Sequence, residues 1–423
     1  MIELTDEQKK ALEMVKNNKL SLLIGNPGSG KTTITKEIVE WAKNQTYSIA
    51  LMSPTGKAAK VLSEACGHPA STIHRTLKPM VEKIDGKVQF FFQHDKSNPL
   101  NETFIIVDEC SMIDNSLMSS LLQAIDSTKT KVLLVGDSAQ LPSVQPGNVL
   151  SDLISCKMIP VTKLTKVHRH SGAIVNFCTA IRKNEKISLQ KTLDLKSGQN
   201  HAHIECSSLQ AVHDTIVKLA TENMPRRGYN VEKDVQVLSP VNSKTVLSCD
   251  DFNNSIQEIV NSQSEKNCIE NSVFRLGSKV INTQNIYDAI SADSRNEKEI
   301  LLNGDTGKVI DLCGDKKSMI VEFQNPDRKI IISKYYHKLK LAYCLTTHRS
   351  QGSGFKVVIF PIHSSFSFYY NRAMLYTTAS RAIEILISVG QKSAIKQAIN
   401  NTKVYQRRTF LATKIKKKLL DNL

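Results

Sequence analysis

No C-x-x-C pair occurs in this chain, and its nine cysteines are scattered and odd in number. That pattern excludes a disulfide framework and a zinc site and fits a reducing compartment. No apolar run approaches about 18 residues, and no cationic-then-apolar leader opens the chain, which argues against membrane spanning and secretion. The expected address is the cytoplasm, with nucleoid or nucleus inside the same reducing interior. Acidic residues are short: 40 Asp and Glu stand against 56 Lys and Arg, leaving +16. Such a surplus points to a polyanionic partner, nucleic acid first and an anionic membrane surface as the rival, because phosphate neutralisation carries the binding. Internal sequence repeats are missing, beyond two α/β halves. What remains is a 423-residue chain, 40% hydrophobic and 23% charged, with the composition of a globular protein of about two to four domains.

The stretch around which the chain is organised is Gly25-Asn26-Pro27-Gly28-Ser29-Gly30-Lys31-Thr32. It follows the apolar run Leu20 to Ile24 and opens a helix expected over Thr33 to Lys43. Buried strand, Gly-rich turn and helix N-terminus, in that order, are the context of a phosphate-binding loop. Glycines let the backbone curl around an anion, so that successive N–H groups point at it. Lys31 is placed to reach the β- and γ-phosphates, and Thr32, with Thr33 beside it, offers a hydroxyl to Mg²⁺. The expected ligands are ATP and Mg²⁺.

Residues 1 to 19 read as an amphipathic helix capped by Thr5, with Glu7 and Gln8 in its first turn. Strands and helices then alternate: Ser48 to Met52, Gly56 to Glu64, Phe104 to Val107, Val132 to Val135. Short apolar strands alternating with helices imply a parallel sheet buried on both faces. Val81 to Gln93 interrupts that rhythm with a hairpin turning at Asp85-Gly86. A helix is expected near Ser171 to Lys183, surface loops over Asn184 to His201, and buried strands at Asp234 to Leu238 and Val357 to Pro361. Between them, residues 270 to 340 hold β-like runs punctuated by Gly and Asp turns, the pattern of a small inserted barrel. From Lys403 onward the tail holds seven basic residues and one acidic one, and suits nucleic acid, a partner or only water.

Asp108-Glu109 ends the run Phe104 to Val107, about 75 residues after the phosphate loop. One carboxylate suits Mg²⁺ and its neighbour suits polarising the attacking water. Gln140, in Gly136-Asp137-Ser138-Ala139-Gln140-Leu141-Pro142, is the candidate for sensing the γ-phosphate or orienting water. Arg169 and Arg381 are candidates for charge stabilisation there; on sequence alone each reads more readily as a surface arginine.

The ordered set resembles superfamily 1 helicases of the RecD/Dda-like, 5′-to-3′ subgroup (superfamily 1B). Its stretches are Leu4-Thr5-Asp6-Glu7-Gln8, the phosphate loop, Ser53-Pro54-Thr55-Gly56-Lys57-Ala58-Ala59 and Ser71-Thr72-Ile73-His74-Arg75. Then come Val107 to Met112, Gly136 to Pro142, Leu238-Ser239-Pro240, Asn303-Gly304-Asp305, Thr346-Thr347-His348-Arg349-Ser350-Gln351-Gly352 and the Arg381 segment. They run in family order from residue 4 to 382.

The resemblance implies an α/β fold of two RecA-like P-loop NTPase domains with a β-hairpin (pin) insertion and a small SH3-like β-barrel insertion. Its boundaries fall at 1–80 with 101–160, the pin at 81–100, the second domain at 161–268 with 341–423, and the barrel at 269–340. It further implies that Gln8 reads the adenine edge, that Gly352 lies at the nucleotide, and that Arg169 and Arg381 clamp ATP between the domains. Pro54, Thr55, Lys57, His74, Phe91, Asn242, Asn285, Thr346 and His348 fall on the implied single-strand track. Phe90, Phe91 and Phe92 either stack on a base or pack the hairpin onto its neighbour. The implied activity is ATP-dependent translocation on single-stranded DNA and unwinding of forked duplex by a monomer, with single-strand-binding or replication proteins as partners. An ATPase switch without unwinding, and an RNA substrate, stay open as alternatives. Two positions depart from the family pattern: His170 stands where it has Gln, and Gly354 where it has Glu.

Overall fold

The fold is that of a computed structural model of the whole chain. The described residues are 3–84, 87–166, 172–262, 268, 272–294, 298–313, 318–324, 327–333, 335–407, 409, 411–413 and 415, with the backbone alone over 81–84 and 87–90. They form two compact units, residues 1–171 with 403–423, and residues 172–402.

In the first unit, helix α1 (Asp6–Asn17) starts at Thr5, whose hydroxyl accepts the Gln8 N–H while the Gln8 side chain accepts the Thr5 N–H. That reciprocal capping box satisfies two end donors at once. The chain continues through β1 (Leu20–Gly25), α2 (Lys31–Asn44), β2 (Ile49–Ser53), α3 (Gly56–Cys66), β3 (Ala70–Thr72) and α4 (Ile73–Leu77). A hairpin, β4 (Pro79–Ile84) with β5 (Lys87–Phe92), precedes β6 (Phe104–Val107), α5 (Asn115–Gln123), β7 (Lys131–Gly136), α6 (Val149–Cys156) and β8 (Val161–Leu164). Six strands form one parallel sheet in the order β3-β2-β6-β7-β1-β8.

Alternate residues of each central strand enter opposite cores, as strand periodicity requires. Leu22, Ile105, Val107 and Leu134 pack into one cluster, and Leu23, Phe104, Ile106, Leu133 and Val135 into the other. The register pairs Ile24 with Gly136 and Val107 with Leu134, so β6, β7 and β1 end side by side. Trp41, the one tryptophan, packs edge-on against Phe104 with ring centroids 6.2 Å apart, and so reports on this unit.

The second unit opens with α7 (Ala173–Lys183), β9 (His201–Glu205), α8 (Leu209–Lys218), α9 (Met224–Arg226), β10 (Val235–Ser239) and α10 (Cys249–Val260). Seven antiparallel strands follow: β11 (Lys279–Asn282), β12 (Ile286–Ser291), β13 (Lys298–Leu301), β14 (Thr306–Leu312), β15 (Met319–Phe323), β16 (Arg328–Ile332) and β17 (Leu339–Leu341). The unit closes with β18 (Cys344–Thr346), β19 (Phe355–Ile362), α11 (Arg372–Ala379), β20 (Ala382–Gly390) and α12 (Lys392–Asn400). A five-stranded parallel sheet runs β18-β10-β19-β20-β9, and the antiparallel strands form their own curled sheet, β13-β12-β16-β15-β14-β11-β17.

Of the antiparallel strands, β12, β13 and β17 escape the sequence pattern. A register irregularity between Ile286 and Ala289 breaks the alternation that would have marked β12. Asp305, in the Asn303-Gly304-Asp305 stretch, anchors this sheet. Its carboxylate accepts from Arg328 Nη2 at 2.6 Å and from Leu302 N at 2.8 Å, with both side chains about nine-tenths buried. Burial pushes the Asp305 carboxyl up in pKa despite Arg328. Arg328→Met should cost about 3 kcal/mol at neutral pH, the penalty of a buried unpaired carboxylate. A raised carboxyl pKa means the folded state holds the proton longer, so stability falls as pH rises through it. The cost in the variant should therefore shrink when urea unfolding, followed by circular dichroism, is repeated at acidic pH.

Two boundaries differ from the expectation. Residues 403–423 belong with the first unit rather than the second, because Tyr405, Arg407, Thr409 and Leu411 dock there. Strand β8 is likewise part of the first sheet, paired in parallel with β1, so the first unit runs past residue 160.

Candidate functional site

The phosphate loop joins β1, an interior strand of the sheet, to α2. Gly28 and Gly30 sit at φ 76° and 83°, the left-handed region that a side chain would strain. At Gly25 an added Cβ would collide with Ser29 Oγ, so glycine lets the loop close this tightly. Ser29 Oγ donates to Asn26 O at 2.8 Å, and Asn26 and Ser29 are buried beneath half-exposed Pro27. Lys31 Nζ folds back to donate to Gly25 O at 2.6 Å and Asn26 O at 3.1 Å. Its charge thus already lies inside the loop. Thr32 is exposed and Thr33 half-buried at the start of α2.

Gln8 is buried behind this loop. Its Nε2 donates to Gly30 O at 3.4 Å and its Oε1 accepts Thr5 N at 3.0 Å. Glu7 grips the end of β8, accepting Thr165 N at 2.7 Å and the Thr165 hydroxyl at 2.5 Å. The first turn of α1 therefore ties together two loops that no local pattern connects. Arg169, four residues beyond Thr165, lies outside the described residues.

Two strands away, Asp108 and Glu109 emerge at the end of β6. Glu109 adopts φ 53°, an uncommon conformation for this residue type, and its N–H donates to Asp108 Oδ1 at 2.8 Å. Burial, and after it the Glu109 charge, pushes the Asp108 carboxyl up in pKa, while Lys31 pulls it down. Burial also drives the Cys110 thiol far up, so it is no nucleophile. Gly136 at the end of β7 lies so close that a Cβ there would meet Cys110 Sγ at 2.7 Å. The carboxylate turn and the Gln140 turn are thereby packed against each other. Gln140 is buried, its N–H donating to Asp137 O at 3.2 Å, while Ala139 N donates to Asp137 Oδ1 at 3.0 Å.

Lys31, Thr32, Asp108, Glu109 and Gln140 thus collect at the carboxyl ends of three adjacent strands, where ligands bind open α/β sheets. An exposed hydroxyl and a carboxylate form a hard-oxygen donor set, which fits Mg²⁺ with phosphate and does not fit a thiolate- or imidazole-loving metal.

A cleft of about 740 Å³ lies in the same unit, lined by His74, Phe91, Phe92, Asp114, Gln145 and Pro146 among others. Among the described residues its lining holds no Lys or Arg and two carboxylates, Asp95 and Asp114. The His74 and Phe92 rings lie 5.8 Å apart, and burial lowers the pKa of His74, which is therefore uncharged at neutral pH. A cleft of aromatic rings beside carboxylates suits the face of a base better than a phosphate. Pro54 and Lys57 flank Thr55, which caps α3 by accepting Ala58 N at 3.3 Å.

In the second unit, Arg381 is buried, its guanidinium donating to Ser353 O at 3.2 Å, Thr377 O at 3.3 Å and Ser380 Oγ at 3.3 Å. It is no surface arginine. Gly352 sits at φ 72°, Thr346 is buried and accepts Arg349 N at 3.3 Å, and His348 is half-buried. Asn242 is exposed, and Asn285, also exposed, accepts Asn303 N at 2.8 Å. His203 stands between Ser388 Oγ at 3.0 Å and Glu205 Oε2 at 3.1 Å, a serine–histidine–carboxylate line. Ser388 is fully buried in β20, so that line joins β20 to β9 and catalyses nothing.

The AAA domain family matches residues 3–208, and the UvrD-like helicase C-terminal domain family matches residues 341–387. The chain is 30% identical over 397 residues to the ATP-dependent RecD2 DNA helicase of Deinococcus radiodurans, covering 92% of this chain and 50% of that protein. It is 33% identical over 202 residues to the ATP-dependent DNA helicase dda of Enterobacteria phage T4, covering 45% of each. The chain thus spans half the length or less of these two relatives. Its fold matches the Pif1 helicase of Candida albicans with a TM-score of 0.54 at 17% identity, over 96% of this chain and 99% of the other. Two parallel sheets, a phosphate loop beside paired carboxylates, and a relative aligned across both units converge: the chain carries an AAA domain and a UvrD-like helicase C-terminal domain and is similar in sequence to RecD2 and Dda DNA helicases.

Proposed function

We propose that this chain is an ATP-driven motor that moves 5′ to 3′ along single-stranded DNA and opens forked duplex. The observation that carries the reading is the convergence of Lys31, Thr32, Asp108, Glu109 and Gln140 at adjacent strand ends in the first unit. Thr32 and Asp108 are the residues to hold Mg²⁺, which when bound neutralises triphosphate charge. Lys31 exchanges its loop carbonyls for phosphate oxygens, Glu109 takes the proton of the attacking water, and Gln140 orients that water. Arg381, and Arg169 beyond the described residues, are assigned to charge stabilisation. Gln8 keeps one amide proton for an adenine edge, its Oε1 being taken up by Thr5. The hairpin β4–β5 is the wedge, the curled seven-stranded sheet the SH3-like insertion, and the aromatic cleft at the hairpin's foot a stacking place for a base. Pro54, Thr55, Lys57, His74, Asn242, Asn285, Thr346 and His348 are assigned to a sequence-tolerant, salt-sensitive track.

The test is unwinding of a short duplex carrying a single-stranded tail at the 5′ or the 3′ end, with and without ATP. Unwinding from the 5′ tail alone is expected. A 3′ preference would remove the direction and keep the motor. Strand-stimulated hydrolysis without unwinding would favour a switch, a reading that Gly354 supports because it lacks the family carboxylate. A Cβ at Gly354 would meet Ile383 Cδ1 at 3.0 Å, and Ile383 is exposed enough to move aside. Gly354→Glu should therefore fold, with stability within about 1 kcal/mol of the parent. It should raise the number of base pairs opened per ATP; an unchanged number would show that the carboxylate is dispensable here.

A further inference from the structure

The basic tail has a place in the fold that its charge does not explain. After Thr402 the chain runs along the first unit and fastens onto the segment that follows Gln140. Tyr405 Oη donates to Ala139 O at 2.8 Å. Arg407 Nη1 donates to Ser143 O at 2.7 Å and Gly147 O at 3.0 Å, with Gln145 O at 3.4 Å. Thr409 Oγ1 lies 2.6 Å from both oxygens of Asp152, and Leu411 packs on the core that holds Cys110 and Leu150.

These attachments fall where the first unit lacks regular structure. Between β7 and α6 the chain forms neither helix nor strand, and Gly147 sits at φ 141°. A segment of this kind leaves carbonyls without ladder partners, and a guanidinium, with several donors in one plane, can hold more than one of them. Ala139 is pinned from both sides: its N–H goes to Asp137 and its carbonyl to Tyr405. One end of the fastened segment is therefore the Gln140 turn. Its other end, Gln145 and Pro146, forms a wall of the aromatic cleft with His74 and Phe91.

We propose that residues 403–407, with Thr409 and Leu411, are a strap that sets the Gln140 segment, and that Tyr405 and Arg407 are positioning residues through which occupation of the cleft accelerates ATP hydrolysis. The proposal rests on the ATP-driven reading above. A braced segment moves as one piece, so a base entering at Gln145 and Pro146 is felt at Gln140. An unbraced segment absorbs the displacement locally. By linkage, the nucleotide then acts on strand affinity through the same piece.

The test uses the full chain with Tyr405→Phe, Arg407→Ala and Arg407→Lys, measuring ATP turnover with and without saturating oligo-dT. Oligo-dT affinity at two salt concentrations and Trp41 fluorescence on heating accompany it. Arg407→Ala and Tyr405→Phe should lower the ratio of stimulated to basal turnover about tenfold, the scale of coupling between sites. Basal turnover and oligo-dT affinity should change little, and Arg407→Lys should restore part of the ratio. Replacing Lys416, Lys417 and Lys418 by alanine removes tail charge and leaves the strap, so that variant should keep the parent ratio. An unchanged ratio in Arg407→Ala and Tyr405→Phe overturns the proposal. So does a ratio lost only with the three lysines, which would make the tail an electrostatic contact. A fall in basal and stimulated turnover together, in step with an earlier Trp41 transition, overturns it as mere loss of folded protein. If the unaltered chain hydrolyses no ATP under any condition, the underlying reading fails and the strap fails with it.

Discussion

Lys31→Ala should lower ATP turnover about a thousandfold, the scale of removing one charged donor from a preorganised phosphate site. The lysine ammonium spans Gly25 O and Asn26 O in the folded chain, so it is already inside the loop it serves. Alanine deletes that charge and two bonds. The loop keeps its other ties, Ser29 Oγ to Asn26 O and Ile34 N to Gly30 O, and should hold its shape. Strand binding should then survive with its salt dependence intact, because it draws on other cations. Filter binding at two salt concentrations, beside a coupled ATPase assay, separates the outcomes. Loss of both activities together, with an early Trp41 transition, would mark a folding defect and would falsify the assignment of Lys31 to the phosphates.

Glu109→Gln is the second large effect, about a thousandfold in turnover, the scale of losing a general base. Its direction on binding is the opposite of what a structural lesion would give. The Glu109 charge is the second cause, after burial, of the raised Asp108 carboxyl, and the amide removes it. Asp108 then ionises more readily, so affinity for Mg²⁺ with nucleotide should hold or rise while hydrolysis stops. Glutamine keeps the length of the side chain and the φ of 53° that aims it. Fluorescent-nucleotide titration in the presence of Mg²⁺ reads the affinity, and single-turnover hydrolysis reads the chemistry. A variant that loses both would point to Glu109 as a scaffold of the turn between β6 and Cys110.

The centre of the first unit was legible because local pattern and global fold agree there. Phe104 to Val107 is a strand in sequence and in structure with the same bounds, since four consecutive apolar residues between turn signals fit only a doubly covered strand. Thr5 and Gln8 announce their capping box by spacing alone. The rest was written in long-range contacts. Nothing near Glu7 says that it will hold Thr165, and nothing near Arg407 says that its partners lie some 260 residues earlier. Strand β8 was missed because Val161-Thr162-Lys163-Leu164 is an edge strand, half-exposed and without a continuous apolar run. The seven basic residues of the tail read as charge for nucleic acid, a partner or only water, yet Arg407 serves backbone carbonyls within the first unit. Among the site residues, the phosphate loop and the paired carboxylates carried their own signal. The shielding of Arg381 by Ser353 and Thr377 did not, because burial is set by the sheet and not by the neighbouring letters.

The return of the tail also sets a schedule for synthesis. The first unit holds residues 1–171 and 403–423, so the ribosome must deliver all of Gly172–Thr402 before Tyr405 and Arg407 exist. At bacterial to eukaryotic elongation speeds that interval lasts between about ten and about fifty seconds. During it the nascent first unit has its sheet and its phosphate loop, while the carbonyls of Ser143 and Gly147 must be served by water. If the proposed function and the strap both hold, a nascent chain in this state should bind nucleotide before strand can stimulate its turnover. Emergence of Tyr405 and Arg407, rather than closure of either sheet, is the event that ties down the segment between β7 and α6.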